Sequence, residues 1–354
     1  MFRPRLRALS SSGLASAFAL AAAYPAGPAA ASPWTLSRGE LATVVRFDYE
    51  SASEEYLDDA DAIPFSLNGR YQAIGFTPDI RLGLLDHLEL EFWLPFKQVS
   101  YTADPVILLP APAGGEGIDY YQENIIHLSR SVFGPTDLNL ALRWQLLGGS
   151  EAVALEGRLK APTGYDAPQG TFGDRPRSKE AFLADVGRYV APENVRDDVT
   201  LGDGQLDASV RILGGAAFGS GTFVRLDAGY VLRMGGAADQ VTGAVRAGQL
   251  LFGRLLPYAG VEADLAVERG RVIGVSVAAS DPELPAAEYG GTTNIELREV
   301  RLERDRAVVN FGAIFRITPE VELNLGHART VWGQNTSAVA TTSAGIGLRT
   351  RYLD

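Results

Sequence analysis

Between Gly134 and Gly164 the chain alternates apolar and polar residues twice, with a very short turn in the middle. Leu138, Leu140, Leu142, Trp144 and Leu146 fall on one face of the first segment, and Asp137, Asn139, Arg143 and Gln145 fall on the other. Successive side chains of a strand point to opposite sides, so a period of two predicts a strand. The second segment sets Val153, Leu155, Gly157, Leu159 and Ala161 against Glu156, Arg158 and Lys160, and Gly148-Gly149-Ser150 makes the tight connection. A soluble hairpin shows the same period, so the pattern gains meaning only by recurring.

It recurs along the whole chain. Leu41, Thr43, Val45, Phe47 and Tyr49 oppose Arg46, Asp48 and Glu50; Ile74, Phe76, Ile80, Leu82 and Leu84 oppose Asp79 and Arg81. Leu88, Leu90, Phe92, Leu94 and Phe96 oppose Glu89, Glu91, Trp93 and Lys97. Farther on, Leu206, Ala208, Val210 and Ile212 face away from Asp207, Ser209 and Arg211, and Val224, Leu226, Ala228, Tyr230 and Leu232 away from Arg225, Asp227 and Arg233. The segment from Val241 to Phe252 is weakest, with Arg246 its one strong polar marker. A ninth strand sets Ala259, Val261, Ala263, Leu265 and Val267 against Glu262, Asp264 and Glu268, and is expected to run past Gly270; a loop around Asp281 to Gly291 then leads into a tenth ending at Val309, Phe311, Ala313, Phe315 and Ile317. Val321, Leu323 and Leu325, then Ile346, Leu348 and Tyr352 against Arg349 and Arg351, complete the series.

The sum is twelve strands joined alternately by short turns, near 85–87, 148–150, 217–221, 253–256 and 318–320, and by longer loops, of which roughly 103–133 and 165–200 lie on the same side. An even count with short turns at one end and long loops at the other predicts an all-β fold, a single antiparallel up-and-down transmembrane β-barrel of about 12 strands. Hydrocarbon cannot satisfy an open sheet edge, so such a sheet must close on itself. In that arrangement the apolar faces meet lipid, and the residues expected to line the lumen are Glu89, Glu91, Trp93, Arg143, Glu156, Arg158, Lys160, Asp207, Arg211, Arg225, Asp227, Glu262, Asp264, Arg316 and Arg349. A soluble sandwich, with the apolar faces stacked on each other, is the competing architecture.

Composition narrows the classes further. No apolar run after residue 31 approaches the ~20 residues a membrane helix needs, which excludes a helical membrane protein. The 39 glycines and 2 methionines suit strands and turns better than a helical enzyme, and the net charge of −11 argues against a nucleic-acid partner. At the N-terminus Arg3, Arg5 and Arg7, small apolar residues from Leu14 to Ala23, and Ala29-Ala30-Ala31 predict a cleaved signal peptide over residues 1–31, leaving the barrel over 32–354. The chain has no cysteine, so no disulfide or thiolate chemistry is available to it.

Several stretches resemble the outer-membrane barrels grouped as meta-pathway phenol-degradation proteins, a family distantly related to long-chain fatty-acid channels. They are Pro33-Trp34-Thr35-Leu36-Ser37-Arg38-Gly39-Glu40, Leu94-Pro95-Phe96-Lys97, the run from Gly134 to Gly164 ending in Lys160-Ala161-Pro162-Thr163-Gly164, Leu201-Gly202-Asp203-Gly204-Gln205, and Asp227-Ala228-Gly229-Tyr230-Val231-Leu232-Arg233. The resemblance implies a channel-like role in passive uptake of small apolar or aromatic compounds across the outer membrane of a Gram-negative cell. It implies outer-membrane lipid and lipopolysaccharide as surroundings, and the barrel-assembly machinery as a partner in biogenesis. Gly345-Ile346-Gly347-Leu348-Arg349-Thr350-Arg351-Tyr352 resembles an assembly signal, although Leu353-Asp354 stand where a terminal aromatic is usual. Too few residues precede the first strand for the N-terminal plug of the fatty-acid channels, so any block in the lumen is expected from side chains or from the two long loops.

The remaining chemistry is sparse. Inward residues of both signs predict a mutually neutralised ladder, which a low-dielectric interior requires; the functional reading of the same residues is a narrow polar conduit. Trp93, Phe172, Tyr120 and Tyr121 are candidates for an apolar approach to it, and Arg329 for a contact with lipid phosphate. The acidic groups Glu54, Glu55, Asp58, Asp59, Asp61 and Asp197, Asp198, Asp203 lack the spacing of a calcium loop, so no metal and no cofactor is expected. A structural or ligand-binding barrel without transport is one alternative, and an outer-membrane lipase-type hydrolase a weaker one. The three histidines are His87, His127 and His327, and among them His327, near Asn335 and Ser337, is the candidate base; no G-x-S-x-G or H-E-x-x-H motif accompanies it, so no catalytic residue is assigned.

Overall fold

The computed structural model of the chain describes residues 32–56, 61–104, 106–107, 125–126, 129–168, 178–184, 199–279 and 295–352. The segment read as a signal peptide, and the loop residues Asp58, Asp59, Tyr120, Tyr121, His127, Phe172, Asp197 and Asp198, lie outside the described residues. Twelve strands form one closed antiparallel sheet. They are β1 (Glu40–Ala52), β2 (Arg70–Leu85), β3 (Leu88–Trp93 continuing as Phe96–Thr102), β4 (Arg130–Pro135 continuing as Asp137–Leu147), β5 (Glu151–Pro162), β6 (Leu206–Ala217), β7 (Thr222–Met234), β8 (Gln240–Gln249), β9 (Leu255–Ala266), β10 (Asp305–Arg316), β11 (Val321–Gln334) and β12 (Ala340–Arg351). Each strand pairs with its neighbours in sequence, and β1 pairs with both β2 and β12, which shuts the ring.

The strands face as their period dictates. Leu140, Leu142, Trp144, Val210, Ile212, Leu226, Phe311, Leu325 and Ile346 are exposed on the outer wall, whereas Arg81, Glu89, Arg143, Glu156, Arg225 and Arg246 are buried inside. An apolar surface wrapping the whole circumference far exceeds the few hundred Å² that a soluble monomer exposes. The stacked-sandwich alternative is thereby excluded, since the apolar faces are outside and the charged faces enclosed.

Two boundaries differ from the sequence reading. The strand expected to run past Gly270 ends at Ala266, and Val272–Ala279 pairs with Ile295–Arg301 in a separate hairpin off the barrel. The alternation breaks at Glu268-Arg269-Gly270, and there the Gly270 N–H donates to the Glu303 carboxylate while the Leu302 backbone packs where a Cβ on residue 270 would stand. The other is at the start of β4, where Arg130–Pro135, read as the end of a loop, extends the wall beside Phe96–Tyr101 of β3.

The ring is pinned where its ends meet. Glu40 lies opposite Arg351, Arg349 bonds the Glu40 carboxylate at 2.6 Å, and the Tyr352 N–H and hydroxyl donate to the carbonyls of Gly39 and Gly83, both at 2.8 Å.

The residues just before β1 overturn an expectation, because 34–37 enter the barrel at its short-turn end. The Trp34 indole N–H donates to Gly149 O at 2.9 Å, the Thr35 hydroxyl to Gln145 Oε1 at 2.8 Å and the Leu36 N–H to Glu89 Oε2 at 2.8 Å. Leu36 completes an apolar cluster with Ala42, Phe223, Leu256, Tyr258 and Ile314, which point inward from β1, β7, β9 and β10. Glycines make the room: a Cβ on residue 215 would stand 2.5 Å from the Trp34 ring, and one on residue 83 would stand 1.9 Å from the Ser37 carbonyl oxygen. Two apolar side chains and a few donors thus occupy part of the lumen at this end. Gly215→Val is expected to expel Trp34 while leaving the wall intact, so that trypsin cuts after Arg38 several-fold faster in a protein that still shows the heat-modifiable gel mobility of a folded barrel. Equal cleavage rates would mean that this contact does not hold the segment.

Candidate functional site

The interior above this segment is crossed by one continuous ion-pair network. On β4, Arg143 lies directly opposite Glu89 of β3 and Glu156 of β5, so the register itself brings the guanidinium between two carboxylates. It reaches Glu89 at 2.5 Å, Glu91 at 2.7 Å and Glu156 at 2.7 Å, and is only 1% exposed. Arg81 closes on Glu89 at 2.6 Å from β2, Arg158 on Glu156 at 2.9 Å, and Arg211 of β6 bridges Glu156 to Asp227 of β7. Arg158 also stacks over the Trp93 ring, 4.7 Å from its centroid. Six consecutive strands, β2 to β7, are thus laced together across their inner faces.

Removing one member of a buried pair leaves its partners charged and uncompensated, at a cost of about 3–5 kcal/mol. Arg143→Leu is expected to destabilise the barrel by that order, read as a shift of the urea midpoint in detergent or lipid. Arg329→Leu, on the exposed outer face, is expected to shift it by less than about 0.5 kcal/mol. Equal shifts would show that the network does not carry the wall.

Toward the long loops the lumen widens into two cavities of about 390 and 450 Å³. The first lies among Trp93, Arg158, Lys160, Asp207, Arg211, Asp227, Glu262 and Asp264, and the second among Arg46, Asp48, Glu50, Tyr71, Asn310 and Ser343. Lys97, Leu201, Glu262, Arg304 and Arg306 border both. Opposite charges line these walls in pairs, Lys97 with Glu50 at 2.6 Å, Arg46 with Asp48 at 2.9 Å, Arg306 with Asp264 at 2.8 Å and Arg246 with Glu262 at 3.0 Å.

The partition between the cavities is the stretch leading into β6. Leu201 packs on Ala73 and Val99, with Tyr71, Val132 and Tyr165 around it. Gly204 has φ +68, and a Cβ there would press on Ala167, so the turn requires glycine. Asp203 is the anchor: Lys160 holds it at 2.6 Å and Arg233 bonds its other oxygen. Burial pushes the Asp203 carboxyl up, but Lys160 and Arg233 outweigh that and hold it below the usual carboxylate range.

A depressed carboxyl contributes stability above its unfolded value of about 3.9 and loses it as pH falls through the lower folded value. Asp203→Asn is therefore expected to speed hydrogen exchange of the 199–205 segment at pH 7 relative to wild type, with the difference shrinking as pH falls below about 3.9. A difference that persists into acid would assign the anchoring to another group.

The other expected lumen residues fall as follows. Glu89, Glu91, Trp93, Arg143, Glu156, Asp207 and Arg225 are buried inside, while Arg158, Lys160, Arg211, Asp227, Glu262 and Asp264 are half-buried around the first cavity. Arg316 and Arg349 lie half-buried at the short-turn end. The sequence reading left out Arg81, Lys97, Arg233 and Arg246, whose alternation had already placed them on the same faces, and Asp203, which no period could have found. Phe311 and Thr342 receive the His327 ring on the outer wall, the latter at 3.1 Å. Asn335 donates to the carbonyls of Arg301 and Glu303, and Ser337 pairs with Glu55 in a small sheet at the long-loop end, so the structure does not assemble these three into a catalytic group. Among the described residues no cluster of His, Asp and Glu has the arrangement of a metal site.

The fold is that of outer-membrane β-barrels. The chain is similar to the COG4313 outer membrane channel from Pseudomonas putida F1, with 11% identity, a TM-score of 0.56, and coverage of 89% of this chain and 97% of that one. A more distant similarity, at 9% identity and a TM-score of 0.39 over 90% of each chain, is to the CymD monoaromatic hydrocarbon channel. No protein-family model and no curated protein matches the sequence.

Proposed function

We propose that this chain is an outer-membrane channel for the passive entry of small compounds with an aromatic or otherwise apolar body and at least one hydrogen-bonding group. The observation that carries the reading is the pair of cavities at the long-loop end, each within the ~300–1,000 Å³ range of small-molecule sites. Trp93, Tyr71, Pro95 and Leu201 offer apolar surface there, and the paired charges offer hydrogen bonds without a strong net field for one sign of ion. A fully apolar solute would have to displace solvent from charged walls without replacing those bonds, so a polar group on the solute is favoured. The resemblance to the phenol-degradation barrels supports the same class of solute, and the fold shared with a protein named as a channel supports conduction. In this reading the apolar wall meets lipid, and the exposed Arg329 meets the phosphates of lipid or lipopolysaccharide. Cleavage of residues 1–31 and delivery by the barrel-assembly machinery belong to it as well.

Liposome swelling tests it directly. Hydroxylated benzoates are expected to enter vesicles carrying the protein faster than disaccharides do, and Trp93→Ala to change the ranking among the benzoates. If no solute enters, either through the wild type or through a form lacking residues 33–38, the barrel is a structural or ligand-binding element instead.

A further inference from the structure

The inner face of β11 and β12 is built differently from the laced wall facing it. Going from the long loops toward the short turns, the inward residues of β11 are Thr330, Ala328, Gly326, Asn324 and Glu322, and those of β12 are Thr341, Ser343, Gly345 and Gly347. These are small until Asn324 and Glu322. The second cavity reaches down this wall as far as Asn310 and Ser343. Ser343 is paired with Gly326, so Asn324 is the next inward residue below, about 7 Å along the strand.

Asn324 and Glu322 share a second property. Glu322 is 2% exposed and Asn324 6%, and neither the two carboxylate oxygens nor the two amide atoms has a hydrogen-bond partner among the described residues. Room for the Glu322 side chain comes from Gly347, where a Cβ would stand 3.2 Å from its Cγ. Arg316, Arg349 and Arg81 act on Glu322 through their charge. Buried polar groups in folded proteins are almost always hydrogen-bonded, and a carboxylate without hydrogen bonds is costly to enclose. Two adjacent side chains in this condition lie directly beneath the second cavity and beside the small inward residues of β11 and β12, where water or a polar solute would satisfy them.

We propose that the permeation path bends around the ion-pair network and follows this wall, with Asn324 and Glu322 as a hydrated station that accepts hydrogen bonds from a hydroxylated solute on its way toward the short-turn end. The station deepens the channel reading above and rests on it for the solute. Its hydration is a separate matter.

The chain has no cysteine, so a single thiol can be placed and read without background. In Asn324→Cys the thiol is expected to react with a small water-soluble methanethiosulfonate ammonium reagent about tenfold or more faster than in Ala154→Cys, whose inward side chain on the opposite wall is fully buried. Ser343→Cys, at the cavity floor, sets the upper reference. Asn324→Leu is expected to slow entry of hydroxylated benzoates about tenfold in the swelling assay with heat-modifiable mobility retained, and the isosteric Glu322→Gln to slow it less. A thiol at 324 no more reactive than one at 154, or undiminished flux through Asn324→Leu, overturns the proposal. If no form of the protein passes any solute, the channel reading fails on its own, and the labelling at 324 still decides whether this wall is wet.

Discussion

Every structural choice in this protein follows from the absence of water in hydrocarbon. A backbone amide or carbonyl facing lipid must find its partner within the protein, and a sheet can meet that demand only by closing. Closure then sorts the side chains: with a period of two, whatever is not turned toward lipid is turned into the tube. The outer wall is thus apolar all round, and the inner wall inherits the charges of twelve strands in a space too small to hydrate them all. The registers solve the problem they create, because strands paired in this alignment set Arg143 between Glu89 and Glu156, and Lys160 across from Asp207.

The architecture was legible in the sequence because it rests on a local, repeated signal. Residues such as Leu140 and Arg143 declare their sides without reference to anything distant, and nearly every strand repeats the statement. Boundaries were readable wherever the alternation stopped at a short turn. They were less so at 266–305, where polar residues continue after the wall has ended and a hairpin off the barrel imitates a longer strand. Of the interior, the sequence disclosed which side chains point inward but not which of them meet.

What stayed hidden was whatever depends on tertiary contact by irregular chain. Trp34 and Leu36 carry no period, and their place inside the tube is set by glycines far away, at 83 and 215. Asp203 likewise sits in a stretch without alternation, and its role depends on Lys160 of β5, just before its loop, and Arg233 of β7. Glu322 is the opposite case. Its inward direction follows from Val321 and Leu323, yet its want of a hydrogen bond is visible only in the folded ring, where the neighbouring Gly347 and Gly345 present no side chain to it.

The short segment before the first strand also says something about the order of events during assembly. Its anchor points are Glu89 on β3 and Gln145 and Gly149 on the β4–β5 hairpin, and its neighbour Gly39 is tied to both Gly83 and Tyr352 at the end of the final strand. The first three partners form with the β3–β4–β5 meander, whereas the bond from Tyr352 to Gly39 forms only when the last strand meets the first. The segment is therefore held at both of its ends only in a finished ring.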